Sequence, residues 1–248
     1  MKNLKLYSKV LGIPKRHLEC GFKNYQTNPD NERQLGICKE WNGQESITLT
    51  GKPGTGKTHL AIAMMKNMPM IKAEEKTAER ERQRLILNIE NKRVHYTSTG
   101  EELGNEYFQK LLDSEIWKFR NAKCLFVSFV ELFIEINTVA MSDEGKEKIL
   151  SKYATGYDRS VYCLDDNRDP DYDCICFDDL GAEKLTDAKR ENLYYIIDSR
   201  YREMLPTIIT SNFTINEIND VEPRIASRLS EMGKIVQFNG KDFRKQNG

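Results

Sequence analysis

Five short runs along the chain read as buried strands. Ser46-Ile47-Thr48-Leu49-Thr50 is β-branched, and Cys124-Leu125-Phe126-Val127, Cys174-Ile175-Cys176-Phe177 and Leu205–Thr210 are nearly unbroken apolar stretches. Ile235-Val236-Gln237-Phe238 closes the series. Continuous apolar runs of this length suit strands covered on both faces, as in a parallel sheet. Helical spacing follows three of them, starting at His59-Leu60-Ala61-Ile62-Ala63-Met64-Met65, Val130–Ile136 and Pro223–Leu229. Strand alternating with helix predicts a three-layer α/β core, with strands near 46–50, 123–128, 173–178, 206–211 and 234–238.

Between the first of these helices and the second strand lies a different texture. Residues 73–84 interleave Glu, Lys and Arg with helix-favouring Ala and Gln, a pattern of solvated helix. Tyr107, Phe108, Leu111, Leu112, Ile116 and Trp117 then fall near helical spacing, so a second helix could pack back on the core. The segment at about 70–122 reads as a charged helical insertion, either a solvated arm or a partner-binding one. It divides a domain of residues 46–248, preceded by a short basic lead-in at 1–45.

Composition narrows the function classes. With 38 basic and 38 acidic residues among 248, the net charge is zero, so DNA contact must come from a local patch. Lys2, Lys5, Lys9, Lys15, Arg16 and Lys23 at the start, with Lys241, Arg244 and Lys245 at the end, could supply one. Lys146, Lys148 and Lys152 beside Tyr153 and Tyr157 suit a single strand, or equally a solvated face. The acidic stretch Asp165, Asp166, Asp169, Asp171 and Asp173 reads as an exposed connection, since calcium-loop spacing fails. Six scattered cysteines without a Cys-x-x-Cys pair predict buried thiols rather than a disulfide framework or metal cluster. No long apolar run or leader pattern is present, so the expected setting is the cytoplasm, without a membrane.

The chemistry starts at Gly51-Lys52-Pro53-Gly54-Thr55-Gly56-Lys57-Thr58, a full G-x-x-x-x-G-K-[ST] between a strand and a helix that opens at His59. Glycines let successive backbone N–H groups curl toward phosphate oxygens, and the helix N-terminus adds positive potential there. Lys57 would reach the β- and γ-phosphates of ATP, and the Thr58 hydroxyl would hold Mg²⁺. Asp178 and Asp179 follow a buried strand at the end that opens on the nucleotide crevice. Read alone, the pair is a turn or cap; beside the phosphate loop, Asp178 becomes the second Mg²⁺ anchor and Asp179 the group that polarises water. Asn212 ends the next strand and is positioned to orient that water. Arg224 and Arg228, four apart on one helix face, are candidates for a finger reaching a neighbouring subunit's γ-phosphate. The alternative is surface pairing with Glu222 or Glu231.

These segments resemble the AAA+ ATPases of the DnaC and DnaI helicase-loader group, with the IstB-like transposition helpers close by. The resemblance rests on residues 51–60, Phe177–Glu183, Leu205–Phe213 and Arg224–Leu229, with Gly12–Arg16, Phe22–Tyr25 and Gly240–Arg244 as lead-in and ending. It implies an AAA+ core with a five-stranded parallel sheet and no C-terminal helical lid. It also implies an ATPase that acts on single-stranded DNA, delivers a replicative helicase and self-associates through an arginine finger. By position, Ile13, Phe22 and Tyr25 are candidates for the adenine pocket. The competing readings are a transposition helper on duplex DNA and a loader mimic that blocks a helicase without turnover.

Overall fold

The computed structural model describes residues 9–96, 102–139, 143–157, 171–181, 185–240 and 242. Lys2, Lys5, Asp165, Asp166, Asp169, Ala182, Glu183, Lys241, Arg244 and Lys245, singled out above, lie outside these residues. The chain divides into two compact units, one of residues 1–69, 122–162 and 170–248, the other containing Met70–Asn121.

In chain order the first unit begins with β1 (Lys9–Leu11), α1 (Glu32–Glu40), β2 (Ser46–Gly51) and α2 (Lys57–Lys66). The second unit contributes β3 (Ile71–Lys72), α3 (Glu75–Glu90), β4 (His95–Tyr96), β5 (Glu102–Leu103), α4 (Asn105–Asp113) and β6 (Phe119–Arg120). The first unit resumes with β7 (Lys123–Ser128), α5 (Phe129–Val139), α6 (Asp143–Thr155) and β8 (Cys174–Leu180). It then adds α7 (Asp187–Arg202), β9 (Thr207–Ser211), α8 (Ile215–Val221), α9 (Pro223–Met232) and β10 (Gly233–Phe238).

The sheet has six strands, not the expected five, all parallel in the order β1-β7-β8-β9-β2-β10. The additional strand is β1, whose Lys9, Val10 and Leu11 register with Lys123, Cys124 and Leu125. Three residues are too few to carry a periodic signal, and the strand forms because β7 offers it an edge. Gly12 ends it at φ 81°, where a Cβ would fall 2.1 Å from the Phe126 carbonyl oxygen.

Alternation along the strands sorts the core. Leu125, Val127, Ile175, Phe177 and Ile209 face one way, into a cluster with Phe129, Leu132, Phe133 and Ile136 of α5, Ile196 of α7 and Ile225 of α9. The opposite face carries Cys124, Phe126, Cys174, Cys176 and Ile208, all buried, and the Cys124 thiol lies 3.6 Å from Met68 Sδ just past α2. Residues two apart share a face, so Asp178 and Thr210 continue the α2 side. That parity aims both at the start of α2. The five described cysteines are buried free thiols.

Arg200 is a large and fully buried side chain among the described residues. Its Nε donates to Thr207 Oγ1 at 2.7 Å, and its two terminal nitrogens donate to the Tyr153 and Pro206 carbonyls at 3.1 and 2.8 Å. Burial lowers its pKa to about 10, so it stays charged at neutral pH. It ties the end of α7 to the start of β9, whose Thr207 N–H also donates to Ser46 Oγ of β2. Arg200→Met leaves three acceptors without their donors, and we expect a loss of about 3 kcal/mol, read as a lower urea midpoint.

In the second unit α3 packs against α4, with Ala78, Leu85 and Phe108 buried. The charges of α3 pair three residues apart, Arg82 with Glu79 and Arg84 with Glu81, on solvent-facing surface where each adds little. No described helix is long and apolar enough to cross a membrane.

Candidate nucleotide and metal site

The phosphate loop runs from the end of β2 into α2. Gly51, Gly54 and Gly56 adopt φ of 126°, 74° and 88°, which L side chains rarely take. Gly56 is also sterically closed, because a Cβ there would lie 2.7 Å from the Tyr25 ring. Tyr25 packs edge-on to His59 with ring centroids 5.3 Å apart, and its hydroxyl donates to the Thr55 carbonyl at 3.3 Å. The lead-in residue Tyr25 therefore braces the loop from outside. Gly56→Ala is expected to cost about 1–2 kcal/mol from backbone strain alone. Crowding of Tyr25 adds to it, so Tyr25→Ala in the same chain should recover only part of the loss in a denaturant titration.

Lys57 is buried, and its Nζ donates to the carbonyls of Gly51 and Lys52 at 2.7 and 2.8 Å. A third bond, 3.0 Å long, reaches Asn212 Oδ1 at the end of β9. Thr55 Oγ1 donates to the Lys52 carbonyl, which closes the loop on itself. His59 turns away from the loop interior, with Nε2 at 2.8 Å from the Gly21 carbonyl oxygen and 3.2 Å from its N–H. It fastens the lead-in to α2. Pro53 is exposed on the outer turn of the loop.

The strand ends meet this loop. Thr58 Oγ1 donates to Asp178 Oδ1 at 2.9 Å, and Thr210 Oγ1 donates to the same oxygen at 2.7 Å. Burial pushes the Asp178 carboxyl above its ordinary value of 3.8, partly offset by the two hydroxyl donors, and neighbouring Asp179 raises it further. Just beyond, the register of β8 with β9 shifts between Phe177 and Leu180, and Asp179 takes φ 65°. This irregularity releases Asp179 from the alternation. Its backbone N–H donates to Thr210 Oγ1 at 2.9 Å, and its carboxylate accepts a bond from Asn212 Nδ2. Asn212 thus links Lys57 to Asp179, its amide oxygen accepting from Lys57 and its amide nitrogen donating to Asp179.

Lys57, Thr58, Asp178, Asp179 and Asn212 are therefore brought together. Arg224 and Arg228 are engaged elsewhere. Arg224 Nε lies 2.8 Å from Glu222 Oε1 and its guanidinium covers the Tyr194 ring. Arg228 Nε lies 2.8 Å from Asp198 Oδ1, with Glu231 at 3.9 Å, and its guanidinium covers the Tyr201 ring. Two of the three lysines beside Tyr153 are likewise paired, Lys152 with Glu135 at 2.9 Å and Lys148 with Glu144 at 2.7 Å.

Thr210 and Asp198 belong to no site motif in the sequence, and Tyr25 stands out there only by its position. Strand parity could have found Thr210, because it shares a face with Asp178. Asp198 stands thirty residues from Arg228 and left no local signal.

A Mg²⁺ ion fits this donor set: Thr58 and Asp178 offer a hydroxyl and a carboxylate oxygen, hard ligands already within 2.9 Å of each other. Among the described residues there is no group of three or more His, Cys, Asp or Glu that could hold a metal ion. Such a cation would complete its shell with phosphate oxygens and water.

No protein-family model matches the chain. It is 24% identical over 189 residues to the uncharacterised protein YqaM of Bacillus subtilis (strain 168), a match over 76% of this chain that spans 41% of the length of that relative. Its fold matches a crystal structure of DnaI with a TM-score of 0.53 at 18% identity, over 95% of each chain. It matches a crystal structure of the DnaC helicase loader with a TM-score of 0.55 at 22% identity, over 91% of this chain and 100% of that one. The chain shares the fold of the DnaI and DnaC structures.

Proposed function

We propose that the protein binds ATP with Mg²⁺, hydrolyses it, and works in DNA replication as a helicase-loader-like ATPase on single-stranded DNA. The observation that carries the ATPase part is the 2.9 Å bond between Thr58 and Asp178, which sets the helix and strand anchors of a metal side by side. The Lys57–Asn212–Asp179 relay beside it supports the same reading. Thr58 and Asp178 would hold a Mg²⁺ ion, which would supply neutralisation of phosphate charge when bound.

Each residue then has a task in that reading. Loop N–H groups and Lys57 bind the phosphates. An incoming γ-phosphate offers Lys57 a stronger acceptor than the Asn212 amide, and that exchange frees Asn212 to orient water. Asp179 accepts a proton from that water, its left-handed backbone taking the carboxylate out of the alternation of β8. Arg228 would act in a neighbouring subunit after leaving Asp198, so assembly and catalysis are coupled through that ion pair.

The loader reading draws on the likeness to the DnaC helicase-loader structure over nearly the whole of both chains. Its test is capture of a purified replicative helicase by the full chain with ATP, alongside binding to single- and double-stranded DNA over a salt series. Helicase capture with preference for single strands is expected; the salt slope counts the phosphates neutralised. Preference for duplex DNA without helicase capture would favour a transposition helper instead.

A further inference from the structure

A cavity of about 360 Å³ opens within the first unit beside the ends of β8 and β9. Its walls include buried Leu180, Leu193, Ile218 and Ile225, while Phe213 and Val221 at its margin stay 40% and 49% exposed. Phe213 lies against Gly181, where a Cβ would come within 2.2 Å of the ring.

Among the described residues three charged side chains also line it, and two are committed. Glu217 caps its own helix, accepting bonds from Thr214 N and Oγ1 at 2.7 and 2.8 Å. Glu222 accepts both Nε and Nη2 of Arg224, at 2.8 and 3.3 Å. Arg190 differs. Its Nε is buried without a hydrogen-bond partner although the side chain is 38% exposed; Nη1 lies 3.7 Å from Asp187 on a fully exposed side chain, and the guanidinium charge also favours the ionised Glu222 carboxylate nearby. A buried N–H without an acceptor is costly, so an acceptor supplied by a ligand gains more here than at the surface. The guanidinium fork suits a carboxylate, which can take two parallel bonds. The volume and the apolar walls with one oriented polar group are those of a small-molecule site.

We propose that this cavity binds a small apolar carboxylic acid, its hydrocarbon part against Leu193, Ile218 and Ile225 and its carboxylate on Arg190. The site lies one residue from the proposed catalytic pair on both strands: Leu180 follows Asp179 and Phe213 follows Asn212. An occupant that shifts Phe213 against Gly181 changes how Asp179 and Asn212 meet, and therefore the hydrolysis rate. This second half rests on the ATPase reading; binding itself does not.

The test titrates 4-phenylbutyrate and its neutral counterpart 4-phenylbutan-1-ol into the nucleotide-free full chain by calorimetry at neutral pH. The parent, Arg190→Gln and Val221→Trp are compared, the last placing a bulky ring at an exposed position of the mouth. The acid is expected to bind the parent at least about tenfold tighter than the alcohol. Arg190→Gln should erase that preference, and Val221→Trp should weaken both probes. No binding of the acid at millimolar concentration, a preference unchanged in Arg190→Gln, or affinities unchanged in Val221→Trp would each overturn the site. Saturating acid should then alter parental ATP hydrolysis at least about twofold; an unchanged rate in a parent that binds the acid and hydrolyses ATP overturns the coupling. A parent that binds the acid and hydrolyses no ATP counts against the ATPase reading and leaves the site standing.

Discussion

Asp178→Asn should lower ATP hydrolysis roughly 10²–10³-fold while leaving the nucleotide-free fold as stable as the parent or more so. The amide keeps an oxygen where Oδ1 accepts from Thr58 and Thr210, so the local bonds survive. It loses the negative charge that a metal needs and that the buried setting opposes. Because the folded pKa is raised above 3.8, the native state holds the proton longer than the unfolded chain does. Stability from this group therefore falls as pH rises from about 3.8 through the raised value, and the full cost is present above it. Thermal melts should show Asp178→Asn ahead of the parent at neutral pH, the gap closing in acid. A variant less stable than the parent at neutral pH would mean that the carboxylate is a structural anchor.

The second large effect belongs to Lys57. Lys57→Ala should reduce hydrolysis by about 10²–10³-fold and weaken ATP binding, because the ammonium is the fixed charge aimed at the phosphates. A structural component accompanies it: the Gly51 and Lys52 carbonyls and the Asn212 amide all lose their donor. Lys57→Arg separates the two contributions. Its charge is retained, but the longer planar head cannot occupy the same turn of backbone carbonyls, so binding should recover more than hydrolysis does. The measurement is nucleotide affinity and turnover on the same preparations.

The legible parts of this molecule were those written locally. A phosphate loop needs its glycines and its Lys57-Thr58 pair within eight consecutive residues, and a parallel strand buried on both faces declares itself as an apolar run such as Cys174–Phe177. What escaped depends on residues distant in sequence or on backbone geometry. The edge strand Lys9–Leu11 exists through its pairing with Lys123–Leu125. Thr210 bonds both Asp178 and Asp179 because two strands of one sheet place it there. The left-handed Asp179 follows from a register shift that no residue type announces. His59 sits inside the motif's helix, yet its ring serves the lead-in, since a helix turns successive side chains to different neighbours. Arg224 and Arg228 share a face as their spacing required, and their bonding to Glu222 and Asp198 came from the fold.

The most direct measurement is the affinity of the full chain for ATP with and without Mg²⁺, repeated on Thr58→Ala. If a hydroxyl from the helix and a carboxylate from β8 hold one cation between them, Mg²⁺ strengthens ATP binding to the parent. The same addition does little for Thr58→Ala, which keeps the metal-free affinity. Equal affinity of the parent with and without Mg²⁺, or equal gains in both proteins, would contradict the shared-metal site.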